Sequence, residues 1–120
     1  MPGARMRRVN EAVREVLSTT LAAGLKDPRI GFVTVTSVET TPDLRNARVF
    51  FSVLGDEEAR AGALAGLRHS RGFLQARINS ELHMKRTPTL EFVYDDTSER
   101  AERLNRRIEE SAPAADEVEG

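Results

Sequence analysis

The chain has no cysteine and no tryptophan, one tyrosine and five phenylalanines among its 120 residues. Without cysteine, disulfides, thiolate metal sites and a thiol nucleophile are excluded, and a reducing compartment is compatible. With so few aromatic rings, a platform on which successive single-stranded bases stack is poorly supplied. The two histidines, His69 and His83, stand in no His-Glu-x-x-His pattern, so they read as surface residues and not as zinc ligands. No Walker-type phosphate loop occurs, which disfavours an ATPase. No run approaches the roughly 20 apolar residues of a membrane span, and the start, Met-Pro-Gly-Ala-Arg-Met-Arg-Arg, lacks an apolar block of signal-peptide length. The expectation is a monomeric, cytosolic protein with no membrane contact, no metal and no cofactor.

What is present is charge in near balance, 18 Lys and Arg against 19 Asp and Glu for a formal net charge of -1, in a chain long enough for one modest core. Met6, Val9, Val13, Val16, Leu17, Leu21 and Leu25 fall at steps of three and four and predict a long first helix, stopped by Gly24 and Asp27-Pro28. Its basic start, Arg5, Arg7 and Arg8, opposes the helix dipole, so these residues form either a frayed tail or a contact with something anionic. Ile30 to Glu39 is β-branched and alternating, and Ala47, Val49, Phe51 and Val53 alternate with Arg48, Phe50 and Ser52; with the turn chemistry of Pro42-Asp43 between them, they predict an antiparallel strand pair. Asp56 is placed to cap the next helix, in which Gly62 to Gly66 predicts close packing on the sheet. Leu90, Phe92 and Tyr94 predict a third strand. Asp96 and Glu99 then predict a short helix through Ala101, Leu104 and Ile108. The expected fold class is α+β, one domain over residues 1–110 with helices on one face of a small sheet, followed by a disordered acidic tail at 111–120.

The stretch from Leu64 to Arg86 concentrates the positive charge: from Arg60 to Arg86 the cations are Arg60, Arg68, Arg71, Arg77, Lys85 and Arg86 against Glu81 alone. Leu64 and Leu67 fit one helix and Leu74, Ile78 and Leu82 another, so two helices are predicted to meet at a bend at Gly72. Arg71, Gln75, Asn79 and His83 share a polar stripe beside the leucines. The bland reading is the solvated side of an amphipathic helix. The segregation of charge in a near-neutral chain favours a polyanion such as RNA.

Asp27-Pro28-Arg29-Ile30, the strand Val33-Thr34-Val35-Thr36-Ser37-Val38-Glu39, the run from Asp43-Leu44-Arg45-Asn46 to Phe51-Ser52, Gly72-Phe73-Leu74 and Pro88-Thr89-Leu90-Glu91-Phe92-Val93-Tyr94-Asp95 together resemble the ribosome-binding factor A family, over roughly Arg5 to Tyr94. That resemblance implies a K-homology-like domain of the prokaryotic type II, in α-β-β-α-kink-α-β order. In K-homology domains a Gly-x-x-Gly loop clamps RNA backbone. No two glycines here stand three apart, and the family's Ala-x-Gly kink is matched by Ser70-Arg71-Gly72. The resemblance further implies binding to free 30S subunits or their precursors, support for maturation of precursor 16S ribosomal RNA, release before translation and a part in cold adaptation. On this reading Arg68, Arg71, Arg77, Lys85 and Arg86 meet phosphates, while Gln75 and Asn79 hydrogen-bond bases or riboses around the Ser70 and Gly72 kink. Arg45 and Arg48 fit exposed strand positions as well as RNA contacts.

Two other classes compete. A metal-dependent nuclease would use Glu91, Asp95, Asp96 and Glu99, although their place at a strand end and helix start is explained by capping. A protein-interaction module would use the hairpin's edge strand.

Overall fold

The computed structural model describes residues 3–25 and 27–97. Helix α1 spans Ala4–Ala23 and buries Val13 and Leu17, the centre of its apolar stripe. It ends at Gly24, whose φ of 95° is costly for any residue with a Cβ and whose N–H donates to the Leu21 carbonyl at 3.0 Å. Strands β1 (Val33–Thr40) and β2 (Asn46–Val53) form the expected antiparallel hairpin. Helix α2 (Glu57–His69) is capped by Asp56, whose carboxylate accepts the Ala59 N–H at 2.9 Å. Helix α3 (Arg71–Leu82) leads to β3 (Thr89–Tyr94), which lies parallel to β2, so that α2 and α3 form the crossover that a parallel pair requires.

The sheet order β1-β2-β3 and the helices on one face agree with the predicted α+β architecture. Val35, Val38, Ala47, Val49, Phe51, Leu90 and Phe92 face the helices and pack with Val13, Leu17, Ala63, Leu67, Leu74 and Ile78 in one core. The alternate residues Thr34, Glu39, Arg48 and Glu91 are exposed on the open side of the sheet. A bulge at Thr36 shifts the β1 register between Val35 and Ser37, and this is why the buried valines are 35 and 38.

Two expectations change. The glycines of α2 pack on the Asp27–Ile30 loop, and of this stretch Ala63 is the small residue that joins the core with the strands: a Cβ on Gly66 would lie 2.5 Å from Ile30 Cγ1, and one on Gly62 3.6 Å from the Arg29 carbonyl. The helix pair breaks at Ser70, with φ -90° and ψ 6°, whereas Gly72 sits inside the first turn of α3 with open space around its Cβ position. Gly72 therefore needs no glycine for steric reasons. The break arises because α2 is held on the loop and β3 while α3 is held on α1. The helix predicted from Asp96 and the acidic tail lie outside the described residues.

Candidate nucleic-acid interface

The break at Ser70 borders a cleft of about 780 Å³ lined by the end of α1, the Asp27–Arg29 loop, His69, Ser70 and Phe73. Its one nearby carboxylate is locked: Asp27 accepts the Arg29 backbone N–H at 3.0 Å and the guanidinium at 2.9 and 2.6 Å. The side-chain hydrogen bond from Arg29, followed by the backbone one, lowers the Asp27 pKa from 3.8 to about 2. A depressed folded-state pKa contributes stability that is present above the ordinary carboxylate value and is lost as pH falls toward 2. Between pH 4 and 2 the urea midpoint of Asp27→Asn is accordingly expected to fall less steeply than that of the parent; equal slopes would show that this clamp does not couple to folding.

The predicted contact residues do not form one ridge. Arg71 turns inward, its guanidinium carbon 6.0 Å from the Phe92 ring centroid and its Nε buried without a hydrogen-bond partner. The Gln75 side-chain oxygen accepts the Leu90 N–H at 3.0 Å, holding the outer edge of β3, so half of that side chain serves the fold. Arg48 lies on the open face of the sheet, away from the helices, 3.7 Å from Glu91 and opposite Glu39 in register. Arg45 is 3.8 Å from Asp43, and Arg77 is 3.8 Å from Glu81 one helical turn on. Asn79 is exposed, and His83 ends α3 in the left-handed region with φ 52°.

Arg5, Arg8, Arg68, Lys85 and Arg86 are the exposed cations of the described residues that have no ion-pair partner. Only Arg68 of these adjoins the break. Lys85 and Arg86 lie past the other end of α3, about 18 Å away along a 12-residue helix. Asp27 with Arg29, Asp43 with Arg45 and Arg77 with Glu81 are near neighbours in the sequence, whereas Glu91 comes to Arg48 from another strand.

The sequence profile of ribosome-binding factor A matches residues 5–108. The chain belongs to that family. A ribosome-binding factor A from Anaeromyxobacter sp. (strain K) is 48% identical over 118 residues, covering 93% of this chain and 86% of that protein. The crystal structure of ribosome-binding factor A from Thermus thermophilus superposes with a TM-score of 0.66 at 28% identity, covering 74% of this chain and 94% of that one. A Thermus thermophilus homology model of the factor, fitted into the cryo-EM map of its complex with the 30S subunit, gives a TM-score of 0.62 at 30% identity, over 73% of this chain and 92% of that one.

The fold shared with these ribosome-binding factors is K-homology-like, and in this member the helix break carries serine at position 70. Of the carboxylates weighed for a nuclease, Glu91 and Asp95 have structural partners here, and Glu99 lies outside the described residues. Glu91 faces Arg48, and Asp95 accepts from the Thr36 hydroxyl at 2.6 Å and from the Thr97 N–H at 3.0 Å. Among the described residues no helix is long and apolar enough to cross a membrane.

Proposed function

We propose that this protein acts in the cytoplasm as an assembly factor that binds free 30S subunits or their precursors through 16S ribosomal RNA, supports maturation of the precursor RNA and makes or breaks no bond. The observation that carries the reading is the 30S complex into which a family member of this fold has been fitted. Its chemical complement is the set of exposed, uncompensated cations, which suits phosphates recognised by charge and shape. Arg68, Lys85 and Arg86 are the foremost phosphate contacts; Arg77 joins them if it exchanges Glu81 for RNA, and Asn79 has free polar atoms for a ribose or base. Ser70 forms the break, Arg71 turns from it toward Phe92, and Arg45 flanks the hairpin turn.

The test uses the full chain with purified small subunits and with precursor RNA in magnesium. Saturable co-sedimentation that declines with salt, with the RNA left intact, is the expected result. Failure to co-sediment, or cleavage that Asp95→Asn abolishes, would overturn the proposal.

A further inference from the structure

The arginines that open α1 have no place in the interface drawn so far. They lie within the helix, which begins at Ala4, so they are not a frayed tail. No acidic residue stands in its first turn and Gly3 supplies no side-chain cap, which leaves the positive end of the dipole uncompensated.

Their direction follows from the helix period. Arg5, Arg8, Ala12, Glu15 and Thr19 recur at steps of three and four and so share one side of α1. On that side Glu15, Val16, Thr19 and Thr20 enclose a cleft with Arg77 and Glu81 of α3. The ends of the two helices fix their sense: Gly24 and Leu25 at the close of α1 meet Ser70 and Phe73 at the opening of α3, so the helices run antiparallel. Continuing α1 back from Glu15 by about 10 Å brings Arg8, then Arg5, beside the segment that follows α3, where Lys85 and Arg86 are exposed. Arg7 belongs to the opposite side, lining a cleft with Glu11, Arg14 and β1.

We infer that Arg5 and Arg8 form, with Lys85 and Arg86, a second phosphate-binding contact at the pole of the domain opposite the helix break, which takes an RNA backbone by charge and without base readout. A membrane surface is disfavoured because the apolar stripe of α1 is already spent on the core, with Val13 and Leu17 buried, so no face is left to insert. The inference rests on the RNA-binding reading above.

The experiment compares the full-length parent, Arg5→Ala with Arg8→Ala, and Arg5→Lys with Arg8→Lys, measuring affinity for purified small subunits from 0.1 to 1 M salt. Alanine favours the helix, and a thermal melt checks each fold. Two phosphate contacts account for about 1.4 to 1.8 in the slope of log affinity against log salt, so the alanine pair should bind roughly 25- to 60-fold more weakly at 0.1 M and converge with the parent near 1 M. The lysine pair should keep the parental slope. An unchanged alanine pair, or a loss equal at every salt concentration, overturns the second contact while parental binding leaves the RNA reading intact. A parent that does not bind overturns that reading as well.

Discussion

Replacing Phe51 by alanine is expected to remove about 3–5 kcal/mol of folding stability, a large part of what a domain of this size possesses. Phe51 is 1% exposed on the central strand, one of the largest side chains buried completely. Its ring meets Tyr94 edge-on, with centroids 5.9 Å apart and planes at 81°, which joins β2 to the end of β3. The neighbours come from a sheet and from helices already packed around other residues, so they cannot close the cavity without moving an element. Phe32, by contrast, is 79% exposed, and Phe32→Ala should change stability by no more than about 0.5 kcal/mol. Urea titrations of both variants provide the check, and similar midpoints for the two would contradict the core described here.

The largest functional effect is expected from Lys85→Glu combined with Arg86→Glu. Both side chains are exposed and without ion-pair partners, and the neighbouring Pro88 and Leu90 carry the packing, so the fold should be unaffected. Each phosphate contact on a single strand contributes about 0.7 in log affinity per decade of salt below 1 M, and reversing the charge adds repulsion to that loss. Roughly a hundredfold weaker binding to small subunits at 0.1 M salt is therefore expected, with a shallower salt dependence. Arg48→Glu is the contrasting variant: placed between Glu39 and Glu91 on the open face, it should perturb the sheet more than RNA binding. A Lys85 and Arg86 variant that still pellets with subunits as the parent does would remove this end of α3 from the interface.

The legible parts of the fold are those whose cause lies within a few residues. The stripe of α1, the Asp56 cap and the alternation in β2 each follow from spacing, and each stands where spacing placed it. The bulge at Thr36 hid part of the β1 pattern, since one inserted residue exchanges the two faces. The break between α2 and α3 was also legible, but its position was not. Glycine at 72 marked the neighbourhood, while the residue that leaves helical geometry is the serine two places earlier.

The site was legible as a concentration of positive charge and illegible in its arrangement. Gln75 and Asn79 share a stripe on paper; only the packing of α3 beside β3 directs one to the Leu90 N–H and leaves the other in solvent. Arg48 reads like any cation until the hairpin and β3 bring Glu91 to it. Arg5 and Arg8, ambiguous in the sequence, lie inside α1, which runs antiparallel to α3. By itself the sequence determined the elements, their order, the class of fold and the sign of the surface charge, because propensity, periodicity and capping act between residues a turn or two apart. The tertiary structure alone decided that Arg48 meets Glu91, that Arg71 turns toward Phe92 and that Gln75 is spent on the Leu90 N–H. A Coulomb partner or a backbone N–H can come from anywhere along the chain, and only folding brings it within reach.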